Sequence, residues 1–382
     1  MSGVYVHIPF CKSRCRYCDF FSTTLLERRK EYVDAVIEEW NQRSATYVPP
    51  TCIGSSSEAH RKLIGSSSNR QAIIETLYLG GGTPTMLEVA DIKRLVDAIA
   101  TEDTTEITLE ANPGDLDRNK LLALRQAGIN RLSIGIQSFD DALLQLIGRR
   151  QNAAQAVQAV KDAQDAGFDN ISIDLIYGLP TQTMDVWKQT ISWALALNVQ
   201  HISCYCLSYE EGTPLTQMLE KGEIQEIDEV VENKMFDYLC EQLKKAGYVH
   251  YEVSNFALTN HHSHHNSSYW NDIPYVGLGA GAHGYNGSTR YQNISDIERY
   301  IKGIQAKQPE REEDQLSEEQ KHIERIMLSL RTDKGIDEQW VLDKKAAVNQ
   351  YLRQGLLQRE GTRLIATQQG LHILNRIIED LI

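Results

Sequence analysis

Short β-branched runs alternate with amphipathic, helix-like stretches over the first 255 residues of this 382-residue chain. Strands that alternate with helices usually pair in parallel, because each helix carries the chain back to the start of the next strand. The pattern predicts a mainly parallel sheet, open or closed into a barrel, with any ligand at the carboxyl ends of its strands. The predicted strands are GVYVHI (3–8), ETLYL (75–79), EITLEA (106–111), RLSIGI (131–136), NISIDLIYG (170–178), HISCYCL (201–207) and HYEV (250–253).

The first helical stretch, residues 24–43, has apolar residues on one face, and Thr24 and Glu27 are spaced as a capping box. Residues 44–71, which follow, break the alternation of strands and helices. This segment contains IGSSS twice, and its composition predicts an exposed, flexible insert, with a functional lid as the alternative. Cys52 lies in the insert and receives no role.

The sequence pattern changes after residue 255. Residues 256–310 read as a His- and Gly-rich connecting segment, in which 260–287 is predicted to be a loop. Residues 311–382 are predicted to form a mainly α-helical, winged-helix-like domain. One helix is predicted just before this domain, at 295–306. Within the domain, helices are predicted at 316–330, 337–343, 346–354 and 368–381, and a hairpin at 356–367.

Charge and apolar content limit the class of protein. A net charge of −13 argues against a nucleic-acid or anionic-membrane binder, since phosphates attract a basic surface. No apolar run approaches the roughly 18 residues that span a bilayer, and the N-terminus lacks the pattern of a signal peptide. These features predict a cytoplasmic protein, whose seven cysteines are not expected to form disulfides.

Three cysteines, Cys11, Cys15 and Cys18, fall within eight positions directly after the first predicted strand. A structural zinc site usually has four ligands, and the nearest further donor here is His7. A redox pair of Cys15 and Cys18 leaves Cys11 unused. An iron–sulfur cluster uses all three thiolates and leaves one iron of a [4Fe–4S] cube open, so the spacing favours a cluster over zinc or chance.

Glycines and polar residues mark the carboxyl ends of the strands that follow. The second strand runs into three glycines at 80–82, and Glu110, Gln137 and Asp174 lie in or at the end of the next three strands. Any one of them suits a structural role, but together on one rim they predict a pocket. A ligand with amine, carboxylate and ribose hydroxyl groups fits such a pocket.

The motif YVHIPFCKSRCRYC (5–18) resembles the opening of the radical S-adenosylmethionine (SAM) proteins. With GGGTPT, EANPG, GIQSF and DLIYGLP, it resembles the oxygen-independent coproporphyrinogen III oxidase family and its heme chaperone branch. The resemblance covers essentially the whole chain apart from the serine-rich insert. It implies an α/β fold with a partial (β/α)6 radical SAM barrel over residues 1–255, which holds a [4Fe–4S] cluster and SAM.

The resemblance also implies roles for individual residues. Cys11, Cys15 and Cys18 would ligate the cluster, and the open iron would take the amino and carboxylate groups of SAM. The other residues that it places around SAM are Tyr5, Tyr17, Gly81, Gly82, Thr83, Glu110, Gln137, Arg149, Asp174 and Ser208.

Two features distinguish the branches of this family. The oxidases carry a fourth cysteine two residues after the third, where this chain has Phe20. HNSSYW (265–270) matches the H-N-x-x-Y-W motif of the heme chaperones, with His265 as the axial heme ligand and Tyr269 and Trp270 beside it. This motif overlaps a run of four histidines, His261, His262, His264 and His265, for which a solvated loop or a transition-metal site is the alternative. His283 is a second heme candidate.

The resemblance therefore implies a heme chaperone, with a SAM-binding [4Fe–4S] cluster, that passes heme to an acceptor hemoprotein, for example one at a membrane. The alternative is a radical SAM enzyme that decarboxylates porphyrinogen propionates, an activity that Phe20 argues against. A zinc-stabilised interaction protein is a third class. Enzymatic activity is left open, and no nucleic-acid partner is expected.

Overall fold

The computed structural model describes residues 3–44 and 74–382, so the insert predicted at 44–71, with Cys52, lies outside the described residues except for Ser44. All seven predicted strands are present in the structure. Six of them pair in parallel and in chain order: β1 (Gly3–Ile8), β2 (Thr76–Gly81), β3 (Glu106–Ala111), β4 (Arg131–Gln137), β5 (Ile171–Tyr177) and β6 (His201–Cys206).

Helices cover the outer face of these strands. The apolar residues of the strands that face outward, such as Leu77, Leu109 and Ile173, form one core with the helices. This arrangement follows from the nearly continuous apolar character of the strands. The helices are α1 (Arg29–Ser44), α2 (Val89–Ile99), α3 (Arg118–Gln126), α4 (Asp141–Leu146), α5 (Ala153–Asp165), α6 (Met184–Ala196), α7 (Pro214–Glu220) and α8 (Glu229–Lys245).

The first helix begins later than its sequence pattern predicts. A 3-10 turn at Leu26–Arg28 precedes α1, and Leu25 holds the cap position of that turn without a side-chain hydrogen bond. The predicted capping box of Thr24 and Glu27 is therefore wrong, because the backbone enters the helix four residues further along.

The inner face of the parallel strands is polar. Ser133 Oγ donates to Asp174 Oδ1 over 3.1 Å, and Ser172 Oγ lies 2.7 Å from His201 Nδ1. Arg131 also lies on this face and is almost fully buried. A barrel interior is usually filled with branched apolar residues, so this polar interior indicates a binding function.

Six more strands extend the sheet at its two edges. At one edge, β7 (Val249–Glu252) and β8 (Asn255–Ala257) form an antiparallel pair beside β6. At the other edge, β9 pairs in parallel with β1, and three antiparallel strands follow it. These strands are β9 (Tyr275–Leu278), β10 (His283–Tyr285), β11 (Thr289–Asn293) and β12 (Arg311–Gln315).

The prediction of a loop at 260–287 is wrong. This stretch contains the helix α9 (His264–Trp270) as well as β9 and β10. The helix was missed because its buried residues are His265 and Ser268, which give no apolar periodicity. The segment predicted to be a connection therefore builds one edge of the main sheet.

The C-terminal part has its own core, around residues such as Ile326, Val348 and Ile377. Its hairpin is present as predicted, and the last predicted helix is divided at Ile373, whose φ and ψ are −121° and 28°. The helix α10 (Ile297–Gln305) precedes this part, and its buried residues belong to the main core. The elements of the C-terminal part are α11 (Glu318–Ser329), β13 (Ile336–Asp337), a 3-10 helix (Glu338–Lys344), α12 (Lys345–Arg353), β14 (Leu357–Glu360), β15 (Arg363–Ala366), α13 (Gln368–His372) and α14 (Leu374–Leu381).

The C-terminal core lies against the β7 edge of the main sheet. Val253 N donates to Arg331 O over 2.8 Å, and Gln368 Nε2 donates to Asp237 Oδ1 over 2.7 Å. Helices around a small sheet with a hairpin agree with the winged-helix-like fold predicted here. The boundaries predicted near residues 255 and 310 stay predictions. No helix among the described residues is long and apolar enough to cross a membrane.

Candidate functional site

The three clustered cysteines lie in a loop at the carboxyl end of β1. Two backbone hydrogen bonds close the base of this loop, from Cys11 N to Thr23 O (2.9 Å) and from Thr23 N to Pro9 O (2.7 Å). A third, from Arg16 N to Ile147 O (2.9 Å), holds its middle. The loop is therefore anchored at both ends, although it contains no helix or strand.

Burial makes thiolates costly in this loop. It raises the pKa of Cys11, and together with the neighbouring thiols it raises the pKa of Cys18 to about 11. Two polar groups approach the sulfurs: Thr83 Oγ1 lies 3.5 Å from Cys11 Sγ, and Arg149 Nη1 donates to Cys15 Sγ over 3.4 Å. Thiolates in this position need a bound cation, which is the condition for a metal or metal-cluster site.

Among residues 3–44 and 74–382, no three Cys, His, Asp or Glu side chains are placed to hold a single metal ion. A [4Fe–4S] cube has an iron at each of four corners, and its ligands approach from separate directions. Three thiolates fit a cluster with one iron left open, whereas a structural zinc ion usually has four protein ligands.

A cleft of about 540 Å³ opens above the cysteines at the carboxyl ends of the strands. It brings together every predicted cluster and SAM residue except Tyr5. His265 also lies elsewhere. The predicted residues that line the cleft are Cys11, Cys15, Tyr17, Cys18, Gly81, Gly82, Thr83, Glu110, Gln137, Arg149, Asp174 and Ser208.

Tyr5 lies below the cleft, inside the barrel. Its hydroxyl is 2.9 Å from His7 Nδ1, and His7 Nε2 is 2.8 Å from Phe21 O. Both histidine nitrogens are thus occupied, and burial lowers the pKa of His7. Tyr5 and His7 connect β1 to the end of the cysteine loop.

The glycines at the carboxyl end of β2 are required by close backbone contacts. A Cβ at Gly82 would lie 2.8 Å from the carbonyl carbon of Pro9 and 2.9 Å from Ile8 O. Gly81 has a φ of 107°, in the left-handed region that favours glycine. Its amide donates to Glu110 Oε2 over 2.9 Å. The GGG run therefore serves both loop packing and the orientation of Glu110.

Glu110 is the principal carboxylate of this cleft wall. Tyr78 Oη donates to its Oε1 over 2.8 Å. Burial, with the nearby Asp174 carboxylate, raises the pKa of Glu110 to about 7 in spite of its two hydrogen bonds. Glu110 therefore loses its proton at a higher pH than an ordinary carboxyl group.

Arg149 connects three walls of the cleft. Besides Cys15 Sγ, its guanidinium donates to Asn112 Oδ1 over 2.6 Å and to Gly135 O. Its buried Nε has no hydrogen-bond partner among the described residues. An unpartnered buried donor beside the thiols favours an anionic ligand group at this wall.

The cleft also contains polar residues that the sequence analysis missed. Asn112 Nδ2 donates to Thr83 Oγ1 over 3.0 Å, and Ser133 bonds Asp174. Asn112 directly follows β3 in the motif EANPG, which was a usable signal. Ser133 lies inside a strand, where only the alternation of inward-facing residues marks it.

Similarity to known proteins agrees with the geometry of the cleft. Residues 5–194 match the family model described as the radical SAM superfamily. A Bacillus subtilis protein named heme chaperone HemW is 32% identical, over 99% of this chain and 98% of the relative. A Lactococcus lactis protein of the same name is 33% identical, over 99% of this chain and 96% of the relative.

The chain belongs to the HemW family. As a radical SAM protein, a HemW-family member is expected to contain a site for SAM and a [4Fe–4S] cluster. A solved structure of the coproporphyrinogen III oxidase HemN from Escherichia coli, described as a radical SAM enzyme, has a TM-score of 0.79 to this chain. It is 22% identical and covers 99% of this chain and 89% of HemN, which confirms the predicted fold class.

The motif HNSSYW forms most of α9, at the opposite end of the barrel from the cysteines. Glu106, the first residue of β3, accepts hydrogen bonds from the amides of His264 and His265, both 2.9 Å long. A Cβ at Gly3, the first residue of β1, would lie 2.9 Å from His265 Nδ1. Because both contacts are at strand starts, α9 closes the amino-terminal end of the barrel.

His265 is buried and fully bonded in this HemW-family structure. Its Nδ1 lies 2.8 Å from Thr76 Oγ1, and its Nε2 lies 2.8 Å from Tyr269 Oη. Its ring stacks on Tyr78 at a centroid distance of 5.1 Å. Burial lowers its pKa to about 3, so the imidazole is neutral. Axial ligation of heme by His265 requires one of its two ring hydrogen bonds to open, and it stays a prediction.

The other histidines of the run differ in exposure. His264 is exposed, and its ring makes no hydrogen bond with any of the described residues. His262 stacks on Tyr251 at a centroid distance of 4.2 Å. His283, the second heme candidate, is exposed on β10.

Proposed function

We propose that this protein is a heme chaperone, which binds heme and transfers it to an acceptor hemoprotein, and which holds a SAM-binding [4Fe–4S] cluster at its cysteine loop. The observation that carries the proposal is the near-full-length similarity to proteins named heme chaperone HemW. The motif HNSSYW supports the heme chaperone branch, and so does Phe20, which stands where the oxidases have a fourth cysteine. The acceptor is an unidentified hemoprotein, and the cytoplasmic location stays a prediction.

Cys11, Cys15 and Cys18 would hold the cluster. The thiols are partly buried, close to one another and next to the Arg149 guanidinium, so a cationic cluster core offsets the cost of their ionisation. When bound, such a cluster offers one iron without a protein thiolate to the amino and carboxylate groups of SAM. Phe20, with 63% of its surface exposed, stands at the mouth of the cleft where the oxidases have their fourth cysteine.

The walls of the cleft would orient SAM. The unpartnered Nε of Arg149 suits a carboxylate, and Glu110 and Asp174 suit amine or hydroxyl donors. Gly81 and Gly82 leave the backbone accessible beside them. Tyr17, which lies between the second and third cysteines, also lines the cleft.

SAM binding is expected to weaken about tenfold between pH 8 and pH 6. Only the ionised carboxylate of Glu110 accepts hydrogen bonds at both oxygens, and its pKa of about 7 means that it gains a proton as the pH falls through this range. The Kd for SAM should be measured by equilibrium dialysis on the cluster-reconstituted protein without reductant. Glu110→Gln should bind SAM more weakly and show a flatter pH profile. An unchanged pH profile in the variant would exclude Glu110 as the titrating group.

His265 would provide the axial ligand of heme iron. A neutral imidazole is the required form, and the lowered pKa of His265 keeps it neutral. Its Nε2 would give up the hydrogen bond to the Tyr269 hydroxyl and bind the iron instead. Trp270, at the end of the same helix, is partly exposed and could contact the macrocycle. Heme binding in this mode requires α9 to leave its closed position.

Heme titration tests the proposal. The wild-type protein, with its cluster reconstituted anaerobically, should give a saturable Soret band at about one heme per chain. His265→Ala should reduce heme affinity at least about tenfold, since axial ligation is lost. His264→Ala is the matched control, because His264 is the exposed neighbour on the same helix, and it should bind heme like the wild type.

Retained SAM binding by His265→Ala will show that the variant is folded. Absence of saturable heme binding in the wild type would refute the chaperone proposal. An equal loss of heme affinity in His265→Ala and His264→Ala would contradict the assignment of His265 as the iron ligand.

A further inference from the structure

Tyr78 lies between the two sites of the proposed function. Its position in the middle of β2 places it below the cleft at the carboxyl ends of the strands and above α9 at their amino ends. Its hydroxyl donates to Glu110 Oε1 over 2.8 Å, on the cleft side. Its ring stacks on that of His265 at 5.1 Å and an interplanar angle of 28°, on the α9 side.

The contacts around Tyr78 leave little free space. A Cβ at Gly80 would lie 2.8 Å from Tyr78 Cε1 and 2.9 Å from Glu110 Oε1. On the other side, Thr76, Tyr269 and the backbone of Gly3 enclose the His265 ring. A displacement of the Tyr78 ring is therefore passed to His265, because the two rings are stacked on each other.

A ligand in the cleft changes the bonding of Tyr78. Glu110 Oε1 is the acceptor for the Tyr78 hydroxyl, and the amine or hydroxyl donors of SAM compete for the same carboxylate. The buried Tyr78 hydroxyl must then share its acceptor or shift. A shift of the hydroxyl would change the stacking of the ring on His265.

Binding of heme iron by His265 would require a second state of this histidine. In the closed state seen here, both ring nitrogens of His265 are hydrogen-bonded and the residue is 1% exposed. An open state must free one ring nitrogen for iron. Heme binds only the open state, so anything that weakens the closed state raises the apparent affinity for heme.

We propose that Tyr78 is a positioning residue that couples occupancy of the SAM cleft to the release of His265. This inference rests on the proposed function, because it assigns SAM to the cleft and heme iron to His265. Ligand at Glu110 loosens Tyr78, and α9 then opens. Linkage requires the reverse effect as well, so heme should strengthen SAM binding by the same factor.

Binding measurements on the full-length, cluster-reconstituted protein test the coupling. The Kd for hemin should be measured with and without saturating SAM, in the absence of reductant. We expect SAM to tighten hemin binding about tenfold in the wild type. Tyr78→Phe keeps the ring and removes the bond to Glu110, so it should bind both ligands with no coupling between them. Tyr248→Phe is the control: it removes a hydroxyl that donates to Val199 O and that contacts neither Tyr78 nor His265, so this variant should stay coupled.

Labelling of His265 with diethyl pyrocarbonate gives a second measurement that needs no heme. Mass spectrometry should find His265 protected in the wild type and labelled several-fold faster when SAM is bound. Gly3→Ala places a methyl group 2.9 Å from His265 Nδ1, which displaces the ring, and should give fast labelling without SAM.

The outcomes separate the two proposals. A wild type that binds neither ligand would refute the proposed function and the coupling together. A wild type that binds both, but with a hemin Kd that SAM leaves unchanged, would refute the coupling alone. Coupling that persists in Tyr78→Phe would exclude Tyr78 as its carrier.

Discussion

Replacement of Cys15 by Ala is expected to remove almost all iron and sulfide from the reconstituted protein, and its SAM binding with them. Cys15 is the thiol that Arg149 contacts, and two remaining thiolates are too few to hold the cluster proposed here. Iron and sulfide per chain should be determined after anaerobic reconstitution, together with visible absorption and SAM binding by dialysis.

Cys206→Ala is the matched control for that experiment. Cys206 is an exposed thiol at the end of β6 and lines the same cleft, but it lies outside the cysteine loop. This variant should keep its full iron content and its affinity for SAM. A full iron content in Cys15→Ala, or its loss in Cys206→Ala, would contradict the assignment of the ligands.

Gly82→Ala should destabilise the protein by about 3 kcal/mol and impair cluster reconstitution. The new methyl group would lie within 2.8–3.0 Å of backbone atoms of Ile8, Pro9 and Phe10, directly before Cys11. Backbone cannot rotate away as a side chain does, so the cysteine loop must shift relative to β2. The free energy of unfolding should be measured by urea titration, and iron should be determined on the same samples.

Gly114→Ala is the control on the same rim of the barrel. A Cβ there would meet only Gln151 Cβ, at 3.8 Å, which is an ordinary contact. Its effect on the free energy of unfolding should stay within about 0.5 kcal/mol. Similar stability of the two variants would show that the approach of β2 to the cysteine loop is less tight than described.

The strands could be predicted from the sequence because each is marked by residues next to one another in the chain. The strands are short apolar runs bounded by glycine or polar residues, and each of them is present in the structure. Because parallel strands end on one rim, the positions of Glu110, Gln137 and Asp174 after or within three strands were enough to predict that they share a cleft. Their hydrogen-bond partners were not predictable, since they come from neighbouring strands: Tyr78 donates to Glu110, and Ser133 donates to Asp174.

The helix α9 shows why other parts were not predicted. Its residues are mostly polar, and its first amides are bonded by Glu106, more than 150 residues earlier in the chain. Ser263, whose hydroxyl accepts from Asn266 N, is an N-cap signal that was visible in the sequence. The burial of His265 depends on Gly3 and Thr76, so no local pattern contained it.

The pairing of β1 with both β2 and β9 has a consequence for the order of folding. β1 meets β2 early during synthesis, but its other neighbour, Tyr275–Leu278, leaves the ribosome about 10–40 s later at usual rates of translation. Until then one edge of β1 is unpaired, and the cysteine loop that follows it has only part of its support. Insertion of iron and sulfide is thus expected after most of the chain has been made, and truncated chains that end before residue 275 should expose this edge to aggregation.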